Sequence, residues 1–335
     1  MAKVLLTGGS GFIAAHILRI LLERGYTVIT TVRSQAKGDQ LIKAQTESFK
    51  SNLSYAIVGD IAQRDAFNAV VRSNPDLDYV IHTASPFLAK FEDPILDVLE
   101  PAINGTVGIL KAIDEYAPQV KRVVITSSFA AIVNTESPPK AYDESSWNPV
   151  TWDESLSDKS KTYRGSKTFA EKAAWGFLDK EKPSFDITTI NPPLVYGPIA
   201  HHLENLDRLN TSNLNIRDII QGKYKDNPLP PTGTFLFTDV RDLALAHVRA
   251  IEVPEAGGKR FFVVAGHCSH KQIVDGLRKT HPELSSRLPE NPRDDFPTDV
   301  YGYDNSRARE ILGLEFKPLQ DCIKDTATSL LKLGA

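Results

Sequence analysis

From residue 3 to residue 191, short β-branched apolar runs alternate with segments of helical periodicity. KVLLT precedes a helical pattern over 12–24, TVITTV one over roughly 36–48, SYAIV one over 62–73 and DYVIHT one over 95–117. KRVVITS then leads to a helix carrying Tyr163, and DITTIN follows at 186–191. Strands that are apolar on both faces must be covered on both, and strands separated by helices pair in parallel through crossovers. The pattern therefore predicts an α/β fold, a doubly wound parallel sheet between two helical layers.

Beyond about 198 the regularity gives way to Pro-, Asn- and Leu-rich sequence such as KYKDNPLPPTGTF, which reads as a smaller substrate-binding region. TDVRDLALAHVRAIE has a capped start, with Thr238 or Asp239 followed by Asp242, and predicts a helix; RFFVVA predicts a strand, 269–280 a helix, and PLQDCIKDTATSLLKL a terminal helix. The expected division is a nucleotide-binding domain over 1–197, to which the chain returns at about 235–265, and a mainly substrate-binding region over 198–335.

With 335 residues, 41% hydrophobic and 24% charged, the chain has the composition of a globular protein. A net charge of -3 and no basic run interleaved with aromatics argue against nucleic acid or an anionic membrane as partner. No segment approaches the roughly 18 apolar residues of a membrane span, and no leader-like stretch opens the chain, so a cytoplasmic protein is expected. The two cysteines, Cys268 and Cys322, lie far apart and read as reduced thiols. His267, Cys268 and His270 in GHCSHK are crowded and lack a second half-site, so no metal is expected. His201 and His202 read as loop residues beside a cleft.

KVLLT runs directly into GGSGFIAAHILRILLERG. Glycines between a strand and a helix let the backbone approach a pyrophosphate, which the N–H groups and dipole of the helix start then stabilise. Gly9, Gly11 and Ala14 fit GxGxxA, and Gly8, Gly11 and Ala14 fit the wider GxxGxxA, so both registers stay open. A Rossmann-type dinucleotide site is expected, with Gly8, Gly9, Gly11, Phe12 and Ile13 as its contacts. An acid near the end of the second strand binds the ribose 2′-hydroxyl of NAD, whereas a base accommodates the 2′-phosphate of NADP. Here Arg33 and Lys37 follow TVITTV and no acid occurs from 27 to 38, which selects NADP(H). Asp60 and Ile61 after the third strand are placed for the adenine, and Thr83, Ala84 and Ser85 after the fourth for the nicotinamide half.

Tyr163 and Lys167 stand one helical turn apart in TYRGSKT, where their head groups can meet. By itself this spacing also fits a solvated surface pair. In company with TGGSGFIA, HTAS, ITSS and NPPLVYGP, and with YDESSWNPVTW, it resembles the extended short-chain dehydrogenase/reductases. Within them the chain is most similar to the dihydroflavonol-reductase-like branch and its fungal NADPH-dependent methylglyoxal and ketone (carbonyl) reductases.

The resemblance implies a catalytic set of Ser128, with Ser127 as the alternate, Tyr163 as proton donor and Lys167 as the charge that tunes it. It also implies that Pro192 to Val195 line the nicotinamide and that Ser212 touches the phosphates. Asn104 is the nearest candidate for a relay asparagine but falls outside the implied set. Val133 stands where the dihydroflavonol reductases carry a flavonoid-recognising asparagine. Hydride delivery to a carbonyl builds negative charge on oxygen, which needs a proton donor and aimed hydrogen bonds, and a nearby ammonium favours ionisation of a phenol. With Phe87, Phe129 and Val133 as apolar pocket walls, the expected activity is NADPH-dependent reduction of small or medium aldehydes, α-dicarbonyls and ketones by a monomer or homodimer. The alternatives are a dihydroflavonol reductase, a sugar-nucleotide epimerase or dehydratase, and a non-catalytic NADP sensor.

Overall fold

The computed structural model describes residues 1–85 and 91–335. Its first half consists of β1 (Lys3–Thr7), α1 (Phe12–Glu23), β2 (Thr27–Val32), α2 (Gln35–Lys43), α3 (Glu47–Lys50), β3 (Leu53–Ile57), α4 (Asn68–Arg72), β4 (Tyr79–His82), α5 (Glu100–Tyr116) and β5 (Arg122–Thr126). A short β6 (Ala141–Tyr142), the long α6 (Lys159–Glu181), β7 (Asp186–Asn191), β8 (Leu194–Tyr196) and α7 (Thr211–Ile220) follow. The chain ends with β9 (Leu236–Asp239), α8 (Val240–Glu252), β10 (Lys259–Phe262), β11 (Gly266–His267), α9 (His270–Thr280), β12 (Gly302–Tyr303), α10 (Ser306–Glu310) and α11 (Leu319–Lys332).

Among the described residues seven strands form one sheet in the order β10-β7-β5-β4-β1-β2-β3, and every neighbouring pair is parallel. Side chains alternate across a strand. Val4 and Leu6 enter the core under α1, α8 and α10, whereas Leu5 between them enters the opposite core with α4, α5 and α6. A smaller sheet, β11-β9-β8, packs with α7, α9 and α11 around Tyr196, Phe237 and Ile323. The strand order reverses between β1 and β4, so a crevice opens at their carboxyl ends. Among the described residues no helix is long and apolar enough to cross a membrane.

Three helices differ from the sequence pattern for local reasons. The run expected over 36–48 divides because Thr46 is extended and starts α3 afresh. The helix expected from 62 begins only at Asn68, because the Asp60 carboxylate accepts the Ala62 N–H (2.9 Å) and the Gln63 amide (3.0 Å) in a competing turn. The helix expected from 95 opens as one wide π-helical turn, Ile95–Leu99, before α5. α6 is capped by Asp158, which accepts the Lys161 N–H at 2.9 Å, and stops at Lys182 in the left-handed region.

Candidate active site

The turn from β1 to α1 needs both of its first glycines. Gly8 has φ +74°, and a Cβ on Gly9 would overlap the Thr30 hydroxyl. The Gly8 N–H donates to Thr31 Oγ1 (3.0 Å) and the Gly11 N–H to the Gly8 carbonyl (2.9 Å), which folds the loop tightly under α1. Among the described residues no side chain caps α1, and its first turn carries no acid. Its free N–H groups and positive dipole end are thus available to an anion. Gly9, Gly11, Phe12 and Lys37 line a cleft of about 360 Å³. His201, His202 and Asn210 close it from the other side, Asn210 reaching it instead of Ser212, which is buried in the first turn of α7. Burial holds His201 down to about 4, so the ring beside Phe12 is neutral.

This cleft fits a dinucleotide phosphate backbone: a cradle that side chains would fill, an uncapped helix start and a lysine. Arg33 is exposed just past β2 and lies near enough to Asp60 to help lower its carboxyl, after the hydrogen bonds from Gln63 and Ala62. Ile13 packs on the α1 side of the sheet and Ile61 on the α5 side.

At the end of β4, Thr7 Oγ1 accepts the Thr83 and Ala84 N–H groups, both at 3.1 Å. With both lone pairs used, its proton goes to His82 Nδ1 at 2.9 Å, which fixes the Nε2–H tautomer. Burial lowers His82 to about 3, so the ring is neutral. Thr83 Oγ1 donates to the Thr7 carbonyl (2.6 Å), so this hydroxyl holds the loop in place, while Ala84 touches the Gly8 position. Ser85 Oγ accepts from Lys167 Nζ at 2.9 Å. Phe87 lies outside the described residues.

Ser128 follows β5 in extended conformation and its Oγ accepts the Ala130 N–H at 3.1 Å. It is also hydrogen bonded to Tyr163. The neighbouring Ser127 is buried and donates to Glu171 Oε2 at 2.5 Å, so the two serines have different partners. Lys167 Nζ stands 5.9 Å from the centre of the Tyr163 ring. Crowding by protein raises the Tyr163 phenol, and the Ser128 hydrogen bond draws it partly back, although 37% of the residue stays open to solvent. Burial lowers Lys167 to about 8. The sequence suggests that the ammonium depresses the phenol. In the structure burial is the dominant influence on both groups, raising the phenol and lowering the ammonium.

Two expected pocket walls are corrected. Phe129 is 3% exposed, stacked on Phe262 at 5.2 Å and edge-on to Tyr142 at 5.1 Å; Val133 is 8% exposed in the same cluster. Both are core behind the Ser128 turn, packed with Tyr142, Leu236 and Phe262. Pro192 supports that turn, its carbonyl accepting the Phe129 N–H at 2.8 Å, and Val195 is tied to Asn210 through its own carbonyl (3.0 Å). The sequence reading also missed what YDESSWNP does: Asn148 Nδ2 donates to the Ala130 carbonyl (2.8 Å), and Trp147 lies under the Arg260 guanidinium at 3.8 Å. His267 and His270 bond separately to the Tyr301 and Pro230 carbonyls (both 2.9 Å), and among the described residues no three His, Cys, Asp or Glu side chains gather as metal ligands.

A parallel sheet with a glycine cradle at its switch point and a serine, tyrosine and lysine beside it defines a dinucleotide-binding Rossmann protein. The chain belongs to the NAD dependent epimerase/dehydratase family, whose model matches residues 4–265. It is 50% identical over 331 residues to the ketoreductase azaE of Aspergillus niger, covering 98% of each chain. The structure of Gre2 from Candida albicans in complex with NADPH matches all of both chains at 35% identity and a TM-score of 0.93. That of yeast methylglyoxal/isovaleraldehyde reductase Gre2 complexed with NADPH matches 98% of each at 36% identity and a TM-score of 0.91.

Proposed function

We propose that the protein is an NADPH-dependent carbonyl reductase that converts aldehydes, α-dicarbonyls or ketones to alcohols. The observation that carries this reading is the joined set of Ser128, Tyr163 and Lys167, with Lys167 bonded onward to Ser85, beside the glycine cradle. Gly9, Gly11 and the α1 start would hold the pyrophosphate, and Arg33 and Lys37 the 2′-phosphate. When bound, NADPH supplies the hydride.

The chain's own residues handle the other half of the reaction. As negative charge develops on the carbonyl oxygen, the Tyr163 O–H gives its proton to that oxygen, and the carbon–oxygen double bond becomes an alcohol. Ser128 Oγ, steadied by the Ala130 N–H, holds Tyr163 and orients the carbonyl. The Lys167 ammonium, anchored on Ser85, places positive charge beside the phenol and stabilises the tyrosinate left after transfer. The region beyond 198, apart from the segment at about 235–265 that returns to the nucleotide-binding domain, mainly covers the substrate, and the enzyme acts in the cytoplasm as a monomer or homodimer.

Support for the substrate class comes from the relatives named for ketones, methylglyoxal and isovaleraldehyde. NADPH consumption against a panel of small aldehydes, diketones, aryl ketones and dihydroflavonols tests it. Turnover of the simple carbonyls is expected, and no turnover of any of them, or a kcat/KM for dihydroquercetin well above them all, would overturn the reading.

A further inference from the structure

Tyr163, Lys167 and Glu171 follow one another at four-residue intervals on α6 and so share one stripe of the helix. Glu171 is 2% exposed, yet its carboxylate accepts five hydrogen bonds. Oε1 takes Arg260 Nε (2.6 Å), Thr189 Oγ1 (3.1 Å) and Trp175 Nε1 (3.4 Å); Oε2 takes Ser127 Oγ (2.5 Å) and Asn191 Nδ2 (2.7 Å). Asn191 Nδ2 also donates to the Ser128 carbonyl at 3.3 Å. Arg260, on the edge strand β10, is itself held by the Glu144 and Ser146 carbonyls, both at 2.7 Å.

A buried ion pair adds little net stability over an apolar replacement, so its presence here needs another reason. The connections supply one. Glu171 is fixed on the helix that carries the proposed acid and the ammonium, and through Ser127 and Asn191 it grips both sides of the Ser128 backbone. We propose that Glu171 is a positioning residue for carbonyl reduction, setting the register of Ser128 against Tyr163 by clamping the ends of β5 and β7 to α6. This rests on the catalytic set proposed above. Glu171 acts through Ser127 and Asn191 and touches neither substrate nor cofactor.

Glu171→Gln keeps the volume but presents an NH₂ donor where only donors converge, which forces the clamp to rearrange. In folded protein, kcat should fall about 10-fold or more while carbonyl KM and NADPH Kd stay within about twofold, because a misplacement of about 1 Å at a reacting group can cost up to about 10²-fold. Ser127→Ala keeps the Glu171–Arg260 pair and should show the same split more weakly, a few-fold in kcat; it decides the matter if Glu171→Gln does not fold. Wild-type kcat in the folded variants, or kcat and NADPH affinity lost in equal proportion, overturns the proposal. Tyr163→Phe is measured alongside. A fully active Tyr163→Phe refutes the catalytic set itself, whereas an inactive one beside normal clamp variants refutes only the positioning role.

Discussion

Tyr163→Phe removes one oxygen and leaves the ring, so its consequences can be separated. The ring keeps its contact with Lys167 Nζ, now 5.9 Å from its centre, and Ser128 Oγ keeps the Ala130 N–H at 3.1 Å. Lys167 keeps Ser85 at 2.9 Å, so the cofactor side of the site is untouched. What disappears is the proposed proton donor and its hydrogen bond with Ser128. General acid catalysis is worth about 10²–10⁴ in rate, which at about 1.36 kcal/mol per tenfold is a barrier increase of about 2.7–5.4 kcal/mol. Since Tyr163 is 37% exposed, folding stability should change by less than about 1 kcal/mol. The assay is steady-state NADPH consumption with a saturating carbonyl, paired with a fluorescence titration of NADPH and a thermal melt. Loss of kcat with unchanged Kd and Tm is the expected result. A kcat within about tenfold of the parent would show that the proton comes from elsewhere.

Cofactor preference should favour NADPH, and Arg33→Asp should erode it by about tenfold or more by replacing a charge-assisted contact with repulsion beside Asp60. An unmutated protein with equal or better kcat/KM on NADH would remove the basis for that argument. Burial lowers Lys167 to about 8, and its protonated form is the useful one, so the rate should decline as pH rises through about 8. A profile that stays flat to pH values near the usual lysine range would count against Lys167 as the required charge. His82 and His247 are buried, with folded values of about 3 and about 4 against 6.5 when free. The unfolded chain therefore takes up protons first as pH falls below 6.5, and Tm should drop between there and about 3. His247→Gln, which cannot titrate, should flatten part of that slope in melts recorded across the pH range; an unchanged slope would refute its contribution.

The parallel sheet was legible in the chain because doubly covered strands must be apolar on both faces, and KVLLT, TVITTV and DYVIHT show that without ambiguity. The glycine cradle was legible for a similarly local reason: Gly8 and Gly9 answer to backbone angle and to the nearby Thr30, constraints that act within one turn of chain and its neighbour strand. The four-residue spacing of Tyr163 and Lys167 is also local, and a helix of any packing would align them. Asn148 and Trp147 were visible as part of a motif, but nothing in the sequence says that they brace Ala130 and Arg260. Resemblance alone favoured Ser128 over Ser127, since adjacent residues differ only in the face they present, and the partner of each is set by distant chain: Glu171 from α6 for Ser127, Tyr163 for Ser128. The same dependence turned Phe129 and Val133 into core, because Tyr142, Phe262 and Tyr301 arrive from segments that no periodicity connects. Backbone geometry and spacing are written locally along the chain. Burial and the desolvation that sets the state of Tyr163 and Lys167 exist only once the strands, helices and returning C-terminal segments have closed around them.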